Sequence, residues 1–294
     1  MIHALSGDRH FLEILTHKKM TGYVHSTFKR TINIVCLDDN QLYTVASSDI
    51  DNAPNTLILD CASMDGSGIG VDDEVYSDGI VFRIGNSLSI DVSDVEAVEL
   101  SLPTFPRDAD RIRRNVAIMK KRIEEVGESG GIKGNATSES PFELEVSKML
   151  SARTELLVDQ LSSGRLREAG ESANSILGLG PGLTPSGDDY LTGMIAVFMV
   201  PNHPIPELHT FCEEVATVAK TATNIISYSA IFQASKGKIR ASLVHLLACL
   251  FTGEEEELLP ALEAVLAIGS TSGTDMALGI VAGIELTMKI GGNL

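Results

Sequence analysis

The most constraining stretch of this 294-residue chain is Leu177–Gly193, which reads Leu-Gly-Leu-Gly-Pro-Gly-Leu-Thr-Pro-Ser-Gly-Asp-Asp-Tyr-Leu-Thr-Gly. Gly178, Gly180, Gly182, Pro181 and Pro185 fall within eight residues. Such a segment cannot be helix interior or central strand, so it must be a loop of unusual backbone geometry. Tyr190 to Val200 is then almost wholly apolar and reads as a buried helix stopped by Pro201. A glycine loop feeding a buried helix turns backbone N–H groups outward at the positive end of the helix, which suits a carboxylate or a phosphate.

The device recurs near the C-terminus. Ser270-Thr271-Ser272-Gly273-Thr274-Asp275 opens the apolar run Met276–Leu286. Ser186, Gly187, Asp189 and Gly193 match Ser272, Gly273, Asp275 and Gly279 in the pattern S-G-x-D-x-x-x-G, at one offset of 86 residues. Two related helix starts facing one pocket are the sharper expectation. The blander one is that Ser, Thr and Asp only cap two core helices; both can hold together.

The rest of the chain sets the frame. Residues 1–105 read as a β-rich domain, with short β-favouring runs at 31–37, 41–46, 56–59, 79–84 and 87–92 separated by turn residues. A small, mainly antiparallel barrel or sandwich is expected. Gly66-Ser67-Gly68-Ile69-Gly70 opens no helix and reads as a turn. Residues 106–140 form a basic helix and a flexible connector: Ile112, Val116, Met119, Ile123 and Val126 make one helix face, and the glycine-rich stretch 127–140 reads as a mobile loop or lid. The basic side chains of that helix are either a solvated face or a contact for an acidic partner subunit. Residues 141–294 read as a helical domain carrying both S-G-x-D loops, so the fold class is α+β. Within it, 207–235 is one long helix or two, and its polar row Thr217, Thr221, Asn224 and Tyr228 either bonds helix to helix or lines a pocket. The small-residue stripe Asp275, Gly279, Gly283 would let another helix backbone approach closely, plausibly that of Gly193.

Charge and composition exclude several classes. A net charge of −17 argues against nucleic acid and anionic membranes as partners. Cys36, Cys61, Cys212 and Cys249 are scattered, as expected of free thiols in a reducing compartment. No His pairing suits zinc. With no basic-then-apolar leader and Met194–Val200 as the longest apolar run, far too short to span a bilayer, a cytoplasmic location is expected.

The loop is neither a Walker A motif nor a strand-bound dinucleotide loop, and no G-x-S-x-G elbow supplies a nucleophile. What remains is a polar pocket. Gly180, Gly182, Thr184, Ser186, Gly187, Thr271, Ser272 and Gly273 are candidate binders of a small anionic substrate. Asn224, on the polar row, joins them. Lys236, Lys238 and Arg240 are the only basic cluster between the two glycine loops and the best local cations. Asp188, Asp189 and Asp275 are the candidate catalytic carboxylates. Asp189 and Asp275, fixed by the repeat, are expected to cap or pair, leaving Asp188 to meet the ligand. No cofactor is called for; a Mg²⁺ bridge between carboxylates is the alternative.

Gly178–Asp189 resembles the hallmark G-x-G-x-G-L-T-P-S-G-D-D of the AllH-type family, and Gly269–Asp275 resembles its second hallmark, G-S-T-S-G-x-D. Thr223–Arg240 is similar to the family's intervening helix. The similarity covers roughly residues 150–290 well and the β region loosely. The resemblance implies a subunit of oxamate carbamoyltransferase, acting in anaerobic allantoin breakdown. That enzyme converts oxalurate and phosphate into oxamate and carbamoyl phosphate, together with an FdrA-type subunit and a third subunit. Other classes stay open: a non-catalytic assembly subunit, homo-oligomeric or otherwise, whose glycines serve only helix packing, or a stand-alone enzyme or sensor for another small carboxylate or phosphorylated metabolite.

Overall fold

The computed structural model describes residues 2–134 and 140–291, in two compact units, 1–100 and 101–294. Residues 135–139, within the segment expected to be a mobile connector, lie outside the described residues.

The first unit is a closed β-barrel. Its strands are β1 (Ile2–Asp8), β2 (Thr21–Thr27), β3 (Thr31–Cys36), β4 (Leu42–Ser47), β5 (Thr56–Leu59), β6 (Glu74–Ser77), β7 (Val81–Ile84), β8 (Leu88–Asp91) and β9 (Glu96–Val98). Neighbours run β5-β4-β3-β2-β6-β7-β8-β1, and β1 closes the ring on β5 through Ala4↔Leu59 and Gly7↔Leu57. One edge of β1 is shared: Ile2 pairs with Ile90 of β8 and Ser6 with Glu96 of β9, both parallel. The β4–β5 pair is also parallel, and the remaining pairs are antiparallel. Helix α1 (Arg9–Glu13), which continues as a π-helix over Ile14–Lys18, sends Phe11 inward. The Phe11 ring stacks 4.7 Å from Tyr43 and 6.1 Å from Phe82, centre to centre. An eight-stranded barrel has room for little more than its own side chains, and here rings fill it. Gly66 and Gly68 sit in a turn at positive φ, as expected.

The second unit is helical: α2 (Ala109–Val126), α3 (Pro141–Ser162), α4 (Leu166–Ile176), α5 (Ser186–Phe198), α6 (Glu207–Ala222), α7 (Ile225–Ser235), α8 (Ala241–Thr252), α9 (Glu255–Leu266) and α10 (Ser272–Ile290). The segment 207–235 is thus two helices, broken at Thr223, with Asn224 capping α7 by accepting from the Ile226 and Ser227 N–H groups. Every residue of α5 is buried, and most of α10. A helix apolar all round belongs in the centre of its unit, and α5 and α10 pack on each other there. Three of the basic side chains of α2 pair with other helices of the unit. Lys120 pairs with Glu285 of α10, Arg122 with Glu263 of α9 and Arg111 with Glu254 at the start of α9. Glu254 and Glu257 close a capping box there. Among the described residues no helix is long and apolar enough to cross a membrane. The four cysteines are free, three of them buried and Cys61 half-buried.

Candidate functional site at the crossing of two helix starts

The loop between α4 and α5 takes its shape from Gly178, Gly180 and Gly182, with φ of 71°, 128° and 98°. Side chains other than hydrogen strain such angles. The loop folds back on the start of α5: Gly187 N–H donates to Leu179 O at 2.9 Å, and a Cβ on Gly180 would press on the Ser186 nitrogen. At the equivalent start of α10, Gly273 N–H donates to Ile268 O at 3.0 Å. The N–H groups of Gly187 and Gly273, which the sequence offers to an anion, therefore already have partners. Gly182 and Leu183 form the exposed rim of the loop, and Thr184 is half-buried.

The two halves of the repeat meet reciprocally. Thr184 Oγ1 and Ser272 Oγ share a hydrogen bond at 2.8 Å. The Ser272 and Thr184 hydroxyls lie against Asp189, and the Ser186 and Thr271 hydroxyls against Asp275. Each serine of one S-G-x-D copy thus faces the aspartate of the other. Burial pushes Asp189 up to about 7, with the neighbouring hydroxyls pulling it down and the Asp275 charge adding to the rise. Burial likewise pushes Asp275 up to about 6, opposed by the Ile132 N–H and those hydroxyls. The hydroxyls are near enough to act on the charge, yet Ser186 Oγ, Asp189 Oδ2 and Asp275 Oδ2 close no well-directed hydrogen bond and are buried.

Asp189 and Asp275 do not cap their own helices: α5 and α10 follow Pro185 and Thr271 with no side-chain cap. Asp275 instead accepts from Ile132 N–H at 2.8 Å. Asp188, expected to meet the ligand, is engaged through both oxygens within the chain. Its Oδ1 accepts from Gly178 N–H at 2.8 Å and its Oδ2 from the Thr223 hydroxyl, so it ties the glycine loop to the α6–α7 break, and burial raises its carboxyl. Lys236, Lys238 and Arg240 are not at the loop. Asn224 Nδ2 donates to Leu183 O at 2.9 Å, so the loop meets the first end of α7. The basic residues follow the other end, about 16 Å on at 1.5 Å per residue. There Gly237 neighbours Met199, at the far end of α5 from Ser186, and Lys236 pairs with Glu213 at 3.2 Å. Helix α7 carries the chain away from the site. Of the polar row, Thr217 and Thr221 are exposed and bond to carbonyls of their own helix, while Asn224 touches the glycine loop.

Sequence reasoning missed the strap 127–134. Gly130 and Gly134 form an antiparallel bridge, Glu128 N–H donates to Thr274 Oγ1 at 2.9 Å, and Ile132 N–H holds Asp275. Gly131 lies directly over Asp275 and Ser186, where a Cβ would overlap the Asp275 carboxylate and Ser186 Oγ. The Gly130-Gly131 doublet was the available signal, but glycine in a polar stretch reads equally as a mobile loop. Among the described residues no group of three or more His, Cys, Asp or Glu is arranged to hold a metal ion.

A filled barrel and a helical unit, the latter built around two crossed S-G-x-D helix starts with a buried acid pair, define a two-unit protein with its candidate site in the helical unit. The model of the AllH family N-terminal domain matches residues 3–97, and the model described as oxamate carbamoyltransferase subunit AllH matches residues 176–284. Together they span most of the chain, which belongs to the AllH family. No solved structure matches it.

Proposed function

We propose that this chain is a working subunit of an oxamate carbamoyltransferase, carrying carbamoyl between oxalurate or oxamate and phosphate at the joint helix starts of α5 and α10. The observation that carries the reading is the acid pair. Asp189 and Asp275, one from each half of the repeat, are buried together and pushed toward neutrality, to about 7 and about 6. Two interacting carboxyls titrate as a unit and can hold one proton between them near neutral pH. An acid–base pair poised near the working pH is the most efficient carrier of protons.

The reaction has that demand. A phosphate oxygen attacks the terminal carbamoyl carbon of oxalurate, and the bond from that carbon to the oxamate nitrogen breaks. The proton leaving phosphate must reach the departing nitrogen. In this reading the ionised carboxyl takes the first proton while the protonated one gives the second. The anionic end of the substrate meets the outer rim, Gly180 to Thr184, at the positive end of α5, because the N–H groups of Gly187 and Gly273 are engaged elsewhere. Carbamoyl transfer is expected only in the company of an FdrA-type subunit and a third subunit, in keeping with a family described as a subunit.

The test is carbamoyl phosphate formation from oxalurate and phosphate by the reconstituted subunits. Asp189→Asn and Asp275→Asn should each lower kcat about a hundredfold or more, with assembly intact. Full turnover in both variants would overturn the reading.

A further inference from the structure

We infer that the three unpartnered oxygens at the crossing of α5 and α10 form an N–H recognition subsite, which takes the carboxamide or ureido end of the substrate and not its anionic end. This rests on the carbamoyl-transfer reading and specifies which end of the substrate the acid pair holds.

Ser186 Oγ, Asp189 Oδ2 and Asp275 Oδ2 lie buried without a well-directed hydrogen bond, although hydroxyls lie against both carboxyls, in residues 1%, 7% and 0% exposed. A buried polar atom without a partner is costly to a fold, so a cluster of three calls for a ligand that completes it. Carboxylate oxygens repel the oxygens of phosphate or carboxylate. They suit donors, and a planar –NH2 offers two N–H groups that can point to two acceptors at once.

The surroundings favour a neutral donor over a metal ion. Among the described residues no third carboxylate, His or Cys joins the pair in a metal-holding group. The nearest strap lysine, Lys133, places its ammonium on Glu124 O and Gly127 O at the end of α2. The second oxygen of Asp275 is held by Ile132 N–H, which leaves Oδ2 as its accepting atom. Gly131 covers Asp275 and Ser186 with backbone alone, so these two lie under the thinnest cover a residue can give. The reciprocal pairing, Ser186 with Asp275 and Ser272 with Asp189, presents an acceptor from each half of the repeat.

Oxamate and oxalate differ only in –NH2 against –O⁻, which makes them the discriminating probes. Calorimetric titration at pH 8, above the values of about 7 and about 6 at which the two carboxyls ionise, would use the full chain, alone and with its partner subunits. Oxamate and oxalurate should bind, with oxalate about a hundredfold weaker, because a site built around acceptors rejects the analogue without donors. Asp189→Asn and Asp275→Asn put donors where acceptors stood and should abolish the preference. Ser186→Ala, which perturbs the fold least, should reduce it. The inference is overturned by equal affinity for oxamate and oxalate, or by binding of neither in either setting. Discrimination that survives in all three variants overturns it as well, as does competition by ammonium, guanidinium or Mg²⁺, which would mark a cation site. Turnover by the assembled enzyme with discrimination independent of these residues would remove this subsite and leave carbamoyl transfer standing. Amide discrimination without turnover would do the reverse.

Discussion

Gly193 of α5 and Gly279 of α10 occupy equivalent places across the helix crossing: a Cβ on Gly193 would overlap the Met276 carbonyl oxygen, and one on Gly279 would overlap the Tyr190 carbonyl oxygen. Met276 follows Tyr190, and Gly279 follows Gly193, by the same 86 residues. The contact is therefore reciprocal, backbone against backbone. It brings the Ser-Asp pairs of the two copies together, because helices this close align their first turns side by side.

Alanine at either glycine should be severely destabilising. The obstructing atoms are backbone, which cannot turn aside, so Gly193→Ala or Gly279→Ala should cost about 3–5 kcal/mol. Gly182→Ala meets open space and carries only the strain of its positive φ, so it should cost about 1 kcal/mol. Denaturant midpoints at constant slope would check both, and equal losses at the two kinds of position would refute the packing account.

The acid pair should make folding stability depend on pH with a definite sign. Both carboxyls sit higher in the folded chain than the ordinary carboxylate value, so the folded state binds more protons than the unfolded one through the window from about pH 4 to 7. Stability contributed by their neutral forms is present at the acid end and lost as pH rises through about 6 and 7. Asp189→Asn and Asp275→Asn, which mimic the neutral acid, should raise Tm at pH near 8 and change it little near pH 4. The gain corresponds to about 2–4 kcal/mol. Melting curves at the two pH values read it directly, and a gain larger at the acid end would contradict the raised values.

Asp188 should behave as a structural clamp. Thr223→Val removes the donor that meets its Oδ2, leaving a buried carboxylate oxygen short of a partner, at a cost of about 1–3 kcal/mol. Proteolysis within the Gly178–Pro185 loop should quicken in step, because the loop is tied down through the same carboxyl by Gly178 N–H. A stable, protease-resistant variant would show that the clamp is not holding the loop.

Lys236 and Lys238 should be dispensable for turnover. Their place beyond the far end of α7 predicts that Lys236→Ala and Lys238→Ala keep kcat/KM of the assembled enzyme within about twofold. A loss of ten times or more, with assembly intact, would return them to the site.

Much of this architecture was legible in the order of residues. The barrel class, the helical second half and most helix bounds follow from alternation, from a 3.6-residue period and from Gly and Pro punctuation. The strands that escaped notice lack those marks. β1 ends in Ser6-Gly7-Asp8, β2 carries Gly22 and His25, β6 is four residues behind an acidic turn, and β9 has three residues, of which two are exposed. They are strands because ring closure supplies partners for their backbone, a condition no local pattern records.

For the candidate site, the sequence by itself determined the repeat, its eight-residue pattern and the place of Asp189 and Asp275 at the starts of two buried helices. Only the tertiary structure decided which acid does what. Asp188 and Asp189 are adjacent, but successive helix residues point about 100° apart, so one carboxyl turns toward Gly178 and Thr223 and the other toward Asp275. The same physics put Gly131 over Asp275 and sent Lys236 away from it. Spacing along the chain fixes direction within one helix, while distances between helices are set by how their surfaces pack.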